Sequence, residues 1–477
     1  MLAGLTNKYN IWASTLDKAD VDVMKDRIEN GANLLESHVF QFDFLNDDFK
    51  KLPQGLQDII NDEKKRKKLI LYINPPYVVA DNRKGEGRKG VAESKTHKKY
   101  SELMGYSKRE LYIQFFTRIY QEIPSCKIGE FSKLKALQAP RFSDFRSFFK
   151  AKLEKCFIVP ADSFDNVKGG FPIGFKIWNT DTKSDFMHIK VEAFNSENSF
   201  IGYKEIWNYD NQKLINDWVK TFRKSNLDSI ATIIGVGSDF QNQRLVRFGK
   251  PNMKVPADNH NWQITRDNLI ESCIYFAVRK VISATWLNDR DQFLYPNDGW
   301  KNDLEFQNDC LAYTLFNNNI QSKYGINHWI PFTEYLVGAR DKFQSSFMTD
   351  FIEGKSELSE IVSEPPILYL FDKYGDERGS SGGSYMKNTK REFSEAAKNV
   401  FKAGRELWKH YHAQPNINVN ASLYDIREYF QGRNEHGKMN TKSEDKKYNE
   451  LIKNLRDSIT VLAQKIEPKV YEYKFLK

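Results

Sequence analysis

The sequence predicts an α/β fold for residues 1–200, and three observations carry that prediction. Short apolar runs alternate with segments of helical spacing, the rhythm of parallel strands joined by crossover helices. Two early runs end at or near an acid, Asp17 and Asp43. A third, LILYI at 69–73, is continuously apolar, as in a buried parallel strand, and runs straight into Asn74-Pro75-Pro76-Tyr77.

Taken in order, residues 10–17 (NIWASTLD) form the first predicted strand. Residues 18–30 place Val21, Met24 and Ile28 at helical spacing. Residues 38–44 (HVFQFDF) alternate like a strand, and 56–68 read as a short helix ending in the basic run 64–68. After the strand at 69–73, residues 78–109 read as a polar loop rich in Gly and Lys. In it Arg83, Lys84, Arg88, Lys89, Lys95, Lys98, Lys99, Lys108 and Arg109 outnumber Asp81, Glu86, Glu93 and Glu102. A loop this long is uncommon without a role. Residues 110–123 form an amphipathic helix that buries Tyr112, Phe116, Ile119 and Ile123. A strand follows at 127–137, and Ser143 is placed to cap a helix running to Leu153. Strands at 156–159, stopped by Pro160, and at 171–178 complete the series.

Beyond residue 200 the rhythm is lost. Strand-like pieces at 201–207, 230–236 and 243–248 mix with a helix at 267–282. A loop rich in Gly and Ser occupies 372–388, a helix 392–412, and a last helix 448–466. The expected division is 1–200, then a mixed α+β region at 201–415, then a helical segment at 416–477.

Composition narrows the classes. A chain of 477 residues has room for two or three domains, and 40% hydrophobic with 28% charged residues excludes wholesale disorder. No apolar stretch of about 18 residues predicts a membrane span, and the first residues show no secretory signal. Cys126, Cys156, Cys273 and Cys310 are widely spaced without a C-x-x-C pair. That does not make a disulfide scaffold, argues against a cysteine-based zinc site, and fits free thiols in a cytoplasmic protein. The net charge of +9, from 72 basic and 63 acidic side chains, is compatible with a polyanionic partner.

Asn-Pro-Pro-Tyr is the sharpest signal. On its own it is equally a turn, since Asn-Pro starts turns and Pro-Pro fixes the backbone. At the carboxyl end of a buried strand in an α/β sheet it stands where such folds bind ligands. Its chemistry suits a poor amine nucleophile such as adenine N6, whose lone pair is delocalised into the ring. Asn74 Oδ1 and the Pro75 carbonyl draw the two amine hydrogens and favour a pyramidal nitrogen, and the prolines fix the carbonyl's direction. Tyr77 offers a flat face for stacking. A base must leave the duplex to reach such a site.

On these residues the chain resembles the N6-adenine DNA methyltransferases, in particular the large bacterial restriction–modification type. The segments FIVPADSFDNVKGGFPIGFKIW at 157–178 and LYDIREYFQGR at 423–433 support the resemblance. It implies a Rossmann-like class I methyltransferase sheet in 1–200, a target-recognition region after it, S-adenosylmethionine as cofactor and double-stranded DNA as partner. A restriction endonuclease or an upstream catalytic segment is a further implied partner. Residue by residue, it implies that Asp17, or failing it Asp20, binds the cofactor ribose. Asp43 accepts from the cofactor adenine amine, with Phe44 against that ring. Asn74, Pro75, Pro76 and Tyr77 hold the target base. Phe164 stacks on that base, with Phe171 as its competitor. Each has a plainer reading: the acids as helix N-caps, the phenylalanines as core. Arg83, Lys84, Arg88, Lys89, Lys98 and Lys99 are candidate phosphate contacts, whereas 64–68 reads better as a solvated helix end. His410 and His412 point to different helix faces, which argues against a shared metal.

The chain departs from the family pattern in one respect. No G-x-G-like turn precedes Asp17. The reading therefore expects the chain to start just after that motif and to lack the strand between those ending at Asp17 and Tyr77. The alternative function is a catalytically silent DNA-recognition module. A third reading keeps the chemistry and exchanges DNA for RNA or a glutamine side chain.

Overall fold

Polar obligation and apolar patterning together build a mixed α/β structure in two units, the first of which holds a six-stranded sheet. The computed structural model describes residues 7–75, 94–165, 167, 169–223, 228–253, 261–355 and 390–477. They divide into two compact units, 1–212 with 285–291, and 213–284 with 292–477. The boundary falls at 212/213, where the sequence suggests 200/201, and residues 416–477 lie in the second unit.

The first unit opens with β1 (Ala13–Thr15), α1 (Lys18–Glu29) and β2 (Val39–Gln41). Next come α2 (Gln54–Asn61), α3 (Glu63–Arg66) and β3 (Ile70–Ile73). Beyond the residues not described lie α4 (Lys95–Met104), α5 (Leu111–Glu122), β4 (Lys127–Lys133), α6 (Lys135–Gln138) and α7 (Ser143–Phe148). The strands β5 (Ala151–Pro160), β6 (Pro172–Lys183), β7 (His188–Phe194) and β8 (Phe200–Trp207) end the unit. The large sheet has the order β3-β4-β6-β5-β7-β8. β3 is parallel to β4, and β6 runs antiparallel to both β4 and β5. β1 and β2 form a separate parallel pair, so β1 and β3 each have a strand on one side only among the described residues.

Several expectations are corrected here. The sheet is mixed, because the 160–172 connection makes β5 and β6 a long hairpin rather than a crossover. The helix from Ser143 stops at Phe148, and 151–160 become strand, since pairing with β6 outweighs local helical spacing. Part of the expected 78–109 loop is helical: Ser94 Oγ accepts from His97 N–H at 2.9 Å and starts α4. The strand from residue 127 ends at Lys133 and gives way to α6.

The large sheet is covered on one face. Tyr112, Ile113, Phe116 and Ile119 of α5 pack with Phe145 and Phe149 against Ile128, Ile158, Trp178, Val191 and Ile206. Leu71 and Ile73 of β3 join that core. The opposite face carries a row of half-buried or exposed aromatic rings. Tyr72 meets Phe175 at 6.4 Å, Phe175 meets Phe131 at 4.9 Å and Phe157 at 5.4 Å, and Phe157 meets Phe194 at 5.9 Å.

Within the covered face sits a charge pair. Lys176 Nζ lies 3.1 Å from Glu130 Oε1, and both side chains are fully buried. Trp178 Nε1 donates to the same oxygen at 3.1 Å, and Lys176 also donates to the carbonyls of Ser132 and Gly174. Burial raises the Glu130 pKa, opposed by the Lys176 charge. A side chain at 174 would come within 2.9 Å of Leu134, so glycine leaves room for this arrangement.

The second unit holds α8 (Ile215–Val219), an antiparallel sheet of β9 (Ala231–Ile234), β10 (Arg247–Gly249) and β11 (Asn261–Ile264), and α9 (Leu269–Val278). The helices α10 (Leu304–Asn317), α11 (Glu334–Val337), α12 (Phe347–Glu353), α13 (Glu395–His412), α14 (Leu423–Gln431) and α15 (Lys446–Glu472) follow. α9 and α10 are buried nearly all round, and α13 and α15 close over them in one hydrophobic core. Among the described residues no helix is long and apolar enough to cross a membrane.

Removing one partner of the buried pair leaves an uncompensated charge. Lys176→Met is expected to destabilise the first unit by about 3–5 kcal/mol, and Lys176→Met with Glu130→Leu to recover most of that loss. Urea melts of the three proteins measure it.

Candidate functional site at the carboxyl edge of the sheet

Strand direction decides what meets at this edge. β3, β4 and β5 run the same way, so their carboxyl ends share one edge: Lys133 and Pro160 stand beside the start of the antiparallel β6 at Ile173 and Pro172, and Ile73 ends three residues earlier, opposite Glu130. Asn74 and Pro75 leave the end of β3, Asn74 exposed and Pro75 buried. Phe164 and Phe171 lie in the connection from β5 to β6, at the same edge. Phe164 packs edge-on against Phe131 of β4 at 5.2 Å. The Phe171 carbonyl accepts from Ala161 N–H at 3.0 Å, which pins the two ends of that connection together.

Sequence reasoning missed Lys133. Its ammonium lies 5.7 Å from the centroid of the Phe171 ring, and burial lowers its pKa. The period-2 alternation of KIGEFSK, with Ile128, Glu130 and Ser132 buried, is the signal that sets Phe131 and Lys133 on the other face. Pro76 and Tyr77 lie outside the described residues, as do Arg83, Lys84, Arg88 and Lys89. Lys98 is exposed on α4. Lys99 is held by Glu122 at 2.9 Å and lies over the Tyr100 ring at 4.9 Å.

The acids sit at the carboxyl ends of the separate strand pair. Asp17 follows β1 and caps α1, its Oδ1 accepting from Ala19 N–H at 2.9 Å. Asp20 accepts from the Thr15 hydroxyl at 3.0 Å. Asp43 follows β2 and organises a turn. Its Oδ1 accepts from the N–H groups of Leu45 and Asn46, and its Oδ2 from Asn46 Nδ2 at 2.7 Å. Phe44 stacks on Phe115 at 5.2 Å with interplanar angle 7°. Arg118 of α5 donates to the Phe44 carbonyl, and to the Asp47 carbonyl at 2.6 Å, and its guanidinium lies 4.3 Å from the Phe49 ring centre. This arginine ties the segment after β2 to the helix that covers the large sheet, and no sequence pattern announces it.

A carboxylate offers about four acceptor positions. Asp43 uses three on its own turn, which leaves one for a single N–H donor. Asp17 uses one on its cap, which leaves room for hydroxyls. The acids therefore fit an adenosine-bearing cofactor in donor count, while Phe44 already has an aromatic neighbour. In the second unit the two histidines diverge as expected. His410 Nε2 lies 2.8 Å from Asp445 Oδ2, whereas the His412 ring is buried with neither nitrogen hydrogen-bonded.

No protein-family model matches the chain, and no curated protein does. Among solved structures it is similar to the type IIG restriction endonuclease BpuSI. That match has 17% identity, covers 40% of this chain and 21% of that one, and has a TM-score of 0.29. It is also similar to the M protein of the Type I restriction enzyme EcoKI, at 14% identity over 39% and 35% of the two chains, TM-score 0.24. A match to the Type IIL restriction–modification enzyme MmeI in complex with DNA covers 99% of this chain and 66% of that one, at 9% identity and TM-score 0.29. The chain thus spans less than two thirds of each of these proteins, and at these scores the likeness carries no functional argument.

The contribution of the Asp17 cap is measured by substitution. Asp17→Asn keeps an acceptor for the cap and is expected to leave the melting temperature unchanged. Asp17→Ala is expected to cost about 1 kcal/mol of stability. A thermal melt of each protein measures the difference.

Proposed function

We propose that the chain is an S-adenosylmethionine-dependent DNA methyltransferase that acts on adenine N6 in a restriction–modification system. The observation that carries this reading is the position of Asn74-Pro75, at the carboxyl end of a strand paired in parallel and at the same sheet edge as Phe164 and Phe171. S-adenosylmethionine, when bound, supplies the electrophilic methyl group. In this reading Asn74 Oδ1 and the Pro75 carbonyl accept the two hydrogens of the exocyclic amine and direct its lone pair. Tyr77 and Phe164 stack on the flipped base, with Phe171 beside Lys133 as the alternative platform. Asp17 receives the ribose hydroxyls and Asp43 its one remaining N–H donor. Double-stranded DNA is the partner, with Lys98 and the basic residues 83–89 near its phosphates. A restriction endonuclease or an upstream catalytic segment is a further partner in this reading.

A second reading has its own support. β1 and β3 each pair on one side only among the described residues, which suits a chain that recognises DNA without transferring methyl groups.

Transfer of labelled methyl from S-adenosylmethionine to mixed-sequence duplex DNA separates the two. Label on adenine N6 is expected, with Asn74→Ala lowering the rate by at least about a hundredfold, the scale of a lost transition-state hydrogen bond, and leaving DNA binding intact. Full activity in Asn74→Ala contradicts the proposed reading. DNA binding with no transfer by the unaltered chain favours the second.

A further inference from the structure

Two guanidinium groups close on one exposed phenol at the carboxyl edge of the large sheet. Tyr106 belongs to a short 3-10 turn, Gly105–Arg109, that leads into α5. Arg109 Nη1 donates to the Tyr106 hydroxyl oxygen at 2.9 Å. Arg141, from the turn Pro140–Phe142 just before α7, donates through its own Nη1 to the same oxygen at 3.2 Å. Both guanidinium carbons also lie 5.1 Å from the centre of the Tyr106 ring. The ring is 41% exposed, and Arg141 is exposed.

The local chain is built to bring these groups together. Gly105 has φ +51°, and a side chain there would run into Asp144 of α7, so glycine lets the turn pack against the 140–144 segment. Topology sets where the cluster stands. α5 returns from the carboxyl end of β3 to the amino end of β4, so its first residues lie at the carboxyl edge. The ion pair of Glu110 with Lys135 at 2.6 Å fixes that placement, because Lys135 follows closely on the end of β4. Asn74 emerges at the same edge.

The hydrogen-bond count points to an anion. The phenolic oxygen already accepts from two cations, so its remaining capacity is to donate. Its own hydrogen has no acceptor among the described residues, and Arg141 forms no ion pair among them. Like charges held side by side repel one another unless a negative group lies against both. Planar guanidinium forks are suited to hold phosphate oxygens, and the hydroxyl adds a third donor.

We infer that Tyr106, Arg109 and Arg141 form a phosphate site that takes a backbone phosphodiester of duplex DNA. The inference rests on the DNA-acting reading given above and names a contact for it. Phosphate contacts of this kind fix the register of a protein on the duplex and read no sequence.

The test measures binding of the full chain to a fluorescent mixed-sequence duplex over a range of salt concentrations. Arg141→Gln is expected to weaken binding about tenfold at low salt. It is also expected to lower the slope of log affinity against log salt by about one, the signature of one lost phosphate contact. Tyr106→Phe keeps the ring and both arginines, and is expected to weaken binding severalfold with the slope unchanged. Lys152→Gln makes the same charge change on an exposed residue at the opposite edge, where β5 begins, and is expected to alter neither. Circular dichroism confirms that the variants fold. Duplex binding in which Arg141→Gln behaves like Lys152→Gln, or in which Tyr106→Phe has no effect, overturns the inference and leaves the DNA reading standing. Absence of saturable duplex binding by the unaltered chain overturns both. Preference for an RNA duplex of the same sequence overturns the assignment of the site to DNA.

Discussion

The backbone groups of β3 have to be satisfied, and among the described residues only one side of the strand has a partner to do it. Four residues, tied to β4 in parallel register from Ile70–Lys127 to Ile73–Glu130, set where the chain emerges as Asn74-Pro75. A slip of one residue would exchange Leu71 and Ile73, which join the helical core, for Ile70 and Tyr72, which face the aromatic row. The position of the proposed acceptors is thus a matter of register, and register is held by that core.

The same core is held by a polar crossing. Glu130 pairs with Ile73 in the register of β4, and Lys176 comes from β6. Their charge pair, with the Trp178 donor, fixes the strands that flank the proposed site from beneath. A buried pair of this kind is weak evidence of stability and better evidence of specificity. Here it opposes any displacement of β6 along β4, and so keeps Phe171 and Lys133 at the edge where Asn74 emerges.

Much of this was legible in the sequence wherever local pattern and final environment agree. LILYI read correctly as a strand paired in parallel, but it is an edge strand among the described residues with Ile70 and Tyr72 exposed, not the buried strand its apolar run suggests. The plainer reading of Asp17 was a helix cap, and it does cap α1. The helix at 110–123 was visible because Tyr112, Phe116 and Ile119 keep helical spacing. What could not be read depends on partners distant in the chain. Residues 151–155 are strand because β6 pairs with them, and the direction of β6 is set by a hairpin no local signal specifies. Arg118 looks like any helix-surface arginine until the segment after β2 folds over it. Lys133 gains meaning only when the connection from β5 to β6 brings Phe171 under its ammonium.

Amide hydrogen exchange along β3 tests the one-sided pairing on which this account depends. Leu71 and Ile73 are expected to exchange slowly, as members of the ladder to β4, and Ile70 and Tyr72 close to the rate of unstructured amides. Equal protection at all four positions would contradict the account, because it would mean that the outer edge of β3 is already paired within this chain.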